Sequence, residues 1–274
     1  MKKLRELKVR EKKRIFEIVK KLREKQLTYN EILKRIRKKF NVNISKSTLI
    51  RWCKNLNKPA GWSEINLIPS PQLSYFLGAL IGDGNVRRII HDYKYEIRLK
   101  VQNYSFAKNF AKATSHILNK KVKIKKERDF TRSGERYVVS VCNKRLWEFL
   151  TDQPLKNLIK IAEKFPKEFL QGLFDAEGFV CNSYIGLANT NTFLLNEVKK
   201  LLSIWGIKYK LKLVIKKGQK VKIRGKFYKA NKNVYSLLIT RKEDVEKFAK
   251  FVGFCMKRKK IKLKNLTRRS VKKG

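Results

Sequence analysis

Apolar residues in the first 60 positions recur at steps of three and four, a spacing typical of amphipathic helices. The apolar positions of the first predicted helix are Leu4, Leu7, Ile15, Ile18, Val19 and Leu22. Thr28 and Glu31 have the spacing of a capping box, which predicts that a second helix begins after Thr28. Ser45 or Ser47 can cap a third helix. Three short helices joined by tight turns predict a separate all-α domain at residues 1–58.

After a Pro- and Gly-containing stretch the pattern changes, and from residue 71 short apolar helices alternate with pairs of strands. The same order of elements occurs twice, which indicates an internal duplication in an α+β fold. Each copy is too small for a large core of its own, so we expect the two halves to pack into one domain. The last strand of the second copy is predicted to be continuous over Lys220–Thr240. The predicted boundaries are linker 59–70, first repeat 71–151, linker 152–165, second repeat 166–260 and basic tail 261–274.

The helix that opens each copy ends in an acidic residue followed by glycine. FLGALIGDG contains Asp83 and LQGLFDAEG contains Glu177 at the matching position. Small residues recur four positions apart on one face of both helices, so the two backbones can approach closely and Asp83 can meet Glu177. Two carboxylates at helix C-termini repel each other and the negative dipole ends unless a cation is present. The pair therefore predicts a Mg²⁺ site, with Mn²⁺ as a substitute, unless each acid is the ordinary polar end of a buried helix.

Charge then narrows the class of partner. The chain has 69 Lys+Arg against 22 Asp+Glu, a formal net charge of +47, and such an excess favours a nucleic acid partner. Two histidines and four cysteines without zinc-ligand spacing leave carboxylates as the candidate metal ligands. No apolar run has the length of a membrane span and no leader pattern is present, so a cytoplasmic, nucleoid-associated protein is expected.

The two acidic helices resemble the motif helices of monomeric, two-motif LAGLIDADG homing endonucleases of the archaeal type, and the resemblance covers about residues 71–260. It implies a pseudo-two-fold duplicated α-β-β-α-β-β-α core whose antiparallel sheets form a saddle over DNA. It also implies hydrolysis of a long double-stranded DNA target to a staggered double-strand break, as in intron homing or in a mobile genetic element. The N-terminal helices resemble the helix-turn-helix domains of site-specific recombinases and transposases, in which the last helix enters the major groove. Ile81 and Gly82 depart from the motif consensus, and neither change removes a metal ligand.

The same resemblance implies polar or basic catalytic residues at the ends of the second and fourth strands of each copy. Gln102 occupies the first such position, and the alignment of QNYSF with NTNTF gives Asn189 as its counterpart. Lys144 follows the fourth strand of the first copy. Arg241 or Lys242 takes that place in the second copy, and an ambiguity of one residue in the helix length leaves both as candidates. The alternative is that each is a solvated polar group at a strand end.

Exposed positions of the third helix and of both sheets are expected to contact DNA, arginines at base edges and lysines mainly at phosphates. A basic but solvated helical hairpin is the alternative for the N-terminal part. The predicted contacts are Lys46, Thr48, Arg51, Lys54, Arg87, Tyr95, Arg98, Lys100, Lys208, Lys210, Lys212, Lys222 and Arg224.

Two other functions are compatible with this pattern. A nuclease-inactive transcription regulator would keep the same DNA surface, although both acids are intact. An RNA-splicing maturase would use that surface on folded intron RNA.

Overall fold

A computed structural model describes residues 1–59, 61, 64–90, 94–128, 134–223 and 225–271 of the chain. The chain divides into two compact units, and each is built from segments that are distant in sequence. The first unit comprises Met1–Ile65, Arg88–Glu96 and Cys142–Asp152, and the second comprises Asn66–Arg87, Ile97–Val141 and Gln153–Gly274. Of the helices in the described ranges, none combines the length and the apolar character needed to cross a membrane.

The N-terminal segment of the first unit folds as three helices and a two-residue parallel strand pair. Its elements are β1 (Lys2–Lys3), a 3-10 turn (Leu4–Glu6), α1 (Val9–Glu24), α2 (Tyr29–Phe40), β2 (Val42–Asn43) and α3 (Lys46–Cys53). The capping box predicted at Thr28 and Glu31 is confirmed, and Ser45 is the residue that caps α3. Phe16 and Trp52 meet edge to face in the core, with ring centroids 5.5 Å apart. The buried helix faces therefore converge on one apolar cluster.

After residue 70 the chain alternates helices with strand pairs, as the sequence predicts. The first set of elements is α4 (Pro71–Asp83), β3 (Gly84–Ile89), β4 (Lys94–Val101), α5 (Tyr104–Leu118), β5 (Ile124–Arg128), β6 (Glu135–Cys142) and α6 (Lys144–Thr151). The second set is α7 (Leu155–Ala162), α8 (Pro166–Glu177), β7 (Gly178–Val180), β8 (Ile185–Asn189), α9 (Thr192–Ser203), β9 (Lys210–Ile215), β10 (Lys220–Ile223), β11 (Lys226–Lys229), β12 (Val234–Ile239), α10 (Lys242–Phe251) and α11 (Lys257–Val271).

The strands form two four-stranded sheets with orders β3-β4-β6-β5 and β7-β8-β12-β9. In both sheets the strand that follows a motif helix is at one edge, and the pairs β5/β6, β7/β8, β8/β12 and β9/β12 are antiparallel. In the second sheet Gly178 lies opposite Leu187, so β7 is paired with β8 from its first residue. Each sheet thus begins directly at the end of a helix that carries a candidate metal ligand.

The predicted continuous strand Lys220–Thr240 is wrong, because the chain reverses inside it. Gly225 has φ +80°, in the left-handed region, and it follows β10 and precedes β11. The two strands pair antiparallel as a separate ribbon, with Lys220 opposite Lys229. The chain then continues as β12 into the four-stranded sheet.

The segments predicted as the inter-repeat linker and the basic tail contain helices. Helix α7 lies within the predicted linker 152–165, where Leu158, Ile159 and Ala162 bury one face. Most of the predicted basic tail belongs to α11, which buries Leu263 and Leu266. In both segments a stripe of apolar residues at helical spacing stabilises a helix despite the surrounding lysines.

Candidate functional site

The motif helices α4 and α8 cross in backbone-to-backbone contact. A Cβ atom added at Gly78 would lie 2.1 Å from the carbonyl oxygen of Phe169, and one added at Gly172 would lie 2.2 Å from the carbonyl oxygen of Tyr75. Each glycine therefore packs directly against the backbone of the other helix. Only a residue without a side chain leaves room for this approach.

Below the crossing, the C-terminal ends of the two helices also touch. A Cβ added at Gly82 would lie 2.4 Å from the Cβ of Ala176 and 3.2 Å from the Cγ of Glu177. Asp83 follows Gly82 directly and ends α4, while Glu177 ends α8. The structure therefore brings the two predicted acids to one place at the ends of two adjacent helices.

The environment disfavours the charged forms of both acids. The pKa of Glu177 is raised to about 7, first by burial and then by the negative charge of Asp83. Burial also raises the pKa of Asp83, although its side chain still reaches solvent. Within the described part of the chain, neither carboxylate accepts a hydrogen bond or forms an ion pair. Two unpaired carboxylates are thus held together at an electrostatic cost that a cation would remove.

The donor set is suited to a hard divalent ion. The described residues contain no group of three or more His, Cys, Asp or Glu side chains arranged around a metal position. Asp83 and Glu177 would supply two carboxylates, and water and substrate oxygens would complete the coordination. Mg²⁺ prefers this combination of few carboxylates and several waters.

A third acid of the motif, Asp175, was not identified from the sequence. Its carboxylate is fully buried and accepts hydrogen bonds from the Tyr75 hydroxyl at 2.8 Å and from the Met256 backbone N–H at 2.9 Å. Burial raises its pKa to about 6, and these two hydrogen bonds oppose the rise. Asp175 therefore joins α4, α8 and the segment before α11. Ile81 occupies the matching position of α4. The difference between an acid in one motif and an apolar residue in the other was therefore visible in the sequence.

The sequence analysis does not single out Lys259, because it stands among many other lysines at the end of the predicted second repeat. Its ammonium group is buried and donates to the carbonyl oxygens of Phe174 at 2.9 Å, Asp175 at 2.6 Å and Ala176 at 3.4 Å. Its spacing to Leu263 and Leu266, four and seven residues on, is that of one helix face. That periodicity is the sequence signal that could have identified it.

The alignment that paired Gln102 with Asn189 is shifted by one residue. Asn103 caps α5 and Asn191 caps α9, each accepting from the backbone N–H three residues later. These caps match Gln102 with Thr190, and both side chains are exposed. Asn189 is the last residue of β8, and its side-chain oxygen accepts from the Asn191 backbone N–H at 2.8 Å. That carboxamide oxygen therefore already has a local structural partner.

The contacts of Lys144, predicted to be catalytic, lie within the first unit. Its ammonium donates to the Leu7 carbonyl oxygen in a short contact and lies 3.6 Å from Glu148 and 5.1 Å from the centre of the Tyr95 ring. Its side chain is only 11% exposed. Lys144 thus connects α6 to the N-terminal segment within the first unit. The sequence could not show this, because the partner is a backbone group 137 residues away.

Lys144→Met is expected to lower the melting temperature by about 4 °C or more, since it removes the donor to the Leu7 carbonyl oxygen and the ion pair with Glu148. Lys242→Met is the matched control, because Lys242 is the first residue of α10 as Lys144 is of α6, yet its side chain is exposed. Differential scanning calorimetry of both variants checks the difference. Equal melting temperatures would contradict the structural role of Lys144.

Comparison of the residues that follow β6 and β12 shows whether Arg241 or Lys242 is the counterpart of Lys144. Asn143 is the N-cap of α6 and Arg241 the N-cap of α10, so Lys242 matches Lys144. Both Arg241 and Lys242 are exposed to solvent. Unlike Lys144, Lys242 is thus accessible to a ligand.

Three of the four predicted contacts of the N-terminal helices are exposed on or just after α3. Lys46, Arg51 and Lys54 reach solvent. Thr48 is half-buried, its backbone N–H donates to the Ser45 hydroxyl, and its own hydroxyl accepts from Ser45 at 2.8 Å. Thr48 therefore belongs to the cap that begins α3.

In the first sheet one predicted contact lies on the wrong face. Tyr95 is separated from Arg98 by an odd number of positions on β4, so their side chains point to opposite faces. The Tyr95 ring packs edge to face against Trp147, with centroids 5.1 Å apart. Arg98 and Lys100 share the other face, where both pair with Glu127 at 2.9 and 3.2 Å. Arg87 is exposed within β3.

In the second sheet and its ribbon the predicted lysines are exposed. Lys210 and Lys212 alternate with Leu211 and Leu213 along β9, and all four side chains reach solvent. Lys208 precedes β9, and its backbone N–H donates to Asp244 at 2.9 Å. The Lys222 ammonium lies 5.7 Å from the centre of the Phe227 ring. Arg224 lies outside the described residues.

Comparison with protein families matches residues 164–253 to a family described as LAGLIDADG-like domain. Two curated relatives are uncharacterized proteins of Methanocaldococcus jannaschii. The first is 38% identical over 265 residues, which is 96% of this chain and 96% of the relative. The second is 32% identical over 188 residues, which is 65% of this chain and 68% of the relative.

A solved structure of mesophilic variants from the homing endonuclease I-DmoI is also similar. It has a TM-score of 0.51 and 23% sequence identity, and the match covers 68% of this chain and 90% of that chain. At this identity the likeness shows a shared fold. The α+β class with antiparallel sheets, predicted from the sequence, is thereby confirmed.

Proposed function

Because the chain belongs to the LAGLIDADG family, we propose that it is a site-specific endonuclease that hydrolyses both strands of double-stranded DNA with a divalent metal ion. One observation carries the proposal. Asp83 and Glu177 end adjacent helices without a hydrogen bond or an ion pair in the described part of the chain, and the pKa of each carboxylate is raised. A packed structural protein gains nothing from two such groups, whereas a metal-dependent hydrolase requires them.

Asp83 and Glu177 would hold the ion through their carboxylates. A bound Mg²⁺ supplies Lewis-acid stabilisation of the phosphate charge and a water of lowered pKa. Asp83 is open to solvent, so a phosphodiester can reach this side of the site. Gln102 is exposed directly after β4, and we assign it to orient water through its carboxamide. Thr190 would offer a hydroxyl at the matching place of the second copy.

We further propose that residues 1–58 act as a helix-turn-helix domain with α3 as the recognition helix. The link between α2 and α3 is short and includes Asn41 in the left-handed conformation at φ 51°. The exposed side chains of Lys46, Arg51 and Lys54 give this region donors for phosphates and base edges. The first 60 residues contain 21 Lys+Arg and 5 Asp+Glu, which supports binding to a polyanion.

The decisive experiment is incubation of the purified full chain with Mg²⁺ and DNA that spans the intron-less form of its host locus. We expect a double-strand cut at one position, with the ends mapped by sequencing. Specific binding without cleavage in Mg²⁺, Mn²⁺ or Ca²⁺ would instead establish a nuclease-inactive regulator. Promotion of intron RNA folding or splicing without DNA cleavage would establish a maturase. A steep loss of affinity with salt is expected in all three cases and therefore does not discriminate between them.

A further inference from the structure

The segment that leads into α11 is fixed against α8 and α5 by backbone hydrogen bonds. The Met256 N–H donates to Asp175 on α8, and the Lys257 N–H donates to the Ser105 hydroxyl on α5 at 2.9 Å. Two residues later the chain presents Lys259, whose side chain is buried. Lys259 is therefore held in a defined place, unlike the exposed lysines that surround it on α11.

The ammonium of Lys259 has three N–H donors, and three carbonyl oxygens at the end of α8 accept from it. These carbonyls belong to Phe174, Asp175 and Ala176, the residues immediately before Glu177. They form the negative end of the helix dipole, where a cation is favourable and a carboxylate is not. A positive charge is thus built into the point where the structure places its two unpaired acids.

We propose that Lys259 is a positioning residue whose ammonium serves as the internal counterion of Asp83 and Glu177, holding the acid pair together before any metal ion binds. The mutual electrostatics agree with this assignment. The positive charge of Lys259 opposes the rise in the pKa of both acids. Burial lowers the pKa of Lys259 to about 8, while Asp175, Asp83 and Glu177 each oppose that fall.

If Lys259 is a counterion of the two acids, its replacement has a consequence that is not expected if Lys259 only packs against α8. Once Lys259 is replaced by an uncharged residue, the repulsion between Asp83 and Glu177 is no longer compensated. Neutralising Glu177 should then stabilise the protein more than it does in the presence of Lys259. A lysine that only caps α8 would give the same effect of Glu177→Gln in both backgrounds.

The test is a double-mutant cycle in the full chain, without metal and without DNA, using Lys259→Met and Glu177→Gln. We expect K259M to lower the melting temperature by about 6 °C or more. We expect E177Q to raise it by at least about 3 °C more in the K259M background than in the wild type. Additive effects would overturn the proposal. Lys260→Met is the matched control, since Lys260 is the next residue on α11 and is exposed.

The cycle stays informative even where a variant does not fold. Folding of K259M/E177Q alongside an unfolded K259M would support the counterion role. Failure of both, with K260M folding normally, would assign Lys259 to packing alone and overturn it. Because no metal or substrate is present, this result does not depend on whether the protein cleaves DNA.

A second measurement rests on the proposed function and uses Ca²⁺ as the probe. The charge of Lys259 competes with a metal ion for the same two carboxylates, so K259M should bind Ca²⁺ several-fold more tightly than the wild type by isothermal titration calorimetry. Equal or weaker binding would overturn the counterion role. Absence of Ca²⁺ binding in both proteins would count against the metal site of the proposed function, and the cycle would then decide the role of Lys259.

Discussion

Asp83→Asn and Glu177→Gln are each expected to reduce DNA cleavage by about 10³-fold or more while DNA binding persists. Each change removes one of the two carboxylates that would hold the metal ion, and each leaves the shape of the helix end intact. The basic surfaces that we propose for DNA contact are unaltered. Conversion of supercoiled plasmid to nicked and linear forms measures cleavage, and fluorescence anisotropy in Ca²⁺ measures binding.

Asp175→Asn is the matched control for this experiment. Asp175 lies two residues before Glu177 on the same helix, yet its carboxylate is buried against Tyr75 and Met256. Its replacement should lower the melting temperature and spare cleavage at temperatures where the variant is folded. Because the two acids meet at one place, each acid variant should lose cleavage of both strands. Full-rate nicking of one strand would show that Asp83 and Glu177 serve separate sites.

Features that depend on residues close in sequence could be predicted well. Thr28 and Glu31 form their capping box because both partners lie within one turn of the same helix. The meeting of Asp83 and Glu177 could also be anticipated, since small residues at four-residue spacing occur in both motif helices. The internal repeat indicated that these two helices pack against each other, which the sequence of one helix alone does not show.

The partners that buried lysines find far away in the sequence could not be predicted, even where helical spacing indicates that the lysine is buried. Lys144 and Lys242 begin equivalent helices, but only Lys144 meets a backbone carbonyl of the N-terminal segment. In a chain with 69 Lys+Arg, composition does not separate a buried lysine such as Lys259 from its exposed neighbours. Lys259 is distinguished by the carbonyl oxygens of α8, more than 80 residues earlier.

The one-residue error in the alignment of the two copies had a different cause. Gln102 was aligned with Asn189 on the similarity of QNYSF to NTNTF, which matched Phe106 with Phe193. Phe106 is buried, whereas Phe193 is 37% exposed and the next residue, Leu194, takes the buried position. A shift of one position moves a side chain around the helix by about 100°, so burial and capping fix the alignment where letter similarity misleads.

Gly78→Ala is expected to destabilise the protein by about 3 kcal/mol or more, the largest effect we expect from so small a change. Its Cβ would overlap the Phe169 carbonyl oxygen, a backbone atom that cannot move without separating α4 from α8. Chemical denaturation measures the loss. Gly218→Ala is the control, since an added Cβ meets nothing within 4 Å there and only its φ of +85° costs about 1 kcal/mol.

The sign of the stability change in Gly78→Ala distinguishes helix propensity from helix–helix packing. Inside a helix, Gly→Ala by itself raises stability by about 1 kcal/mol, so a stabilised Gly78→Ala variant would show that the helices are not in close contact. Gly172→Ala should cost about as much as Gly78→Ala, because its Cβ would meet the Tyr75 carbonyl oxygen at nearly the same distance. The double variant should lose less than the sum, since helices that one substitution has already separated leave room for the second. Cleavage should fall in both single variants even at temperatures where they are folded, because the separation moves Asp83 away from Glu177.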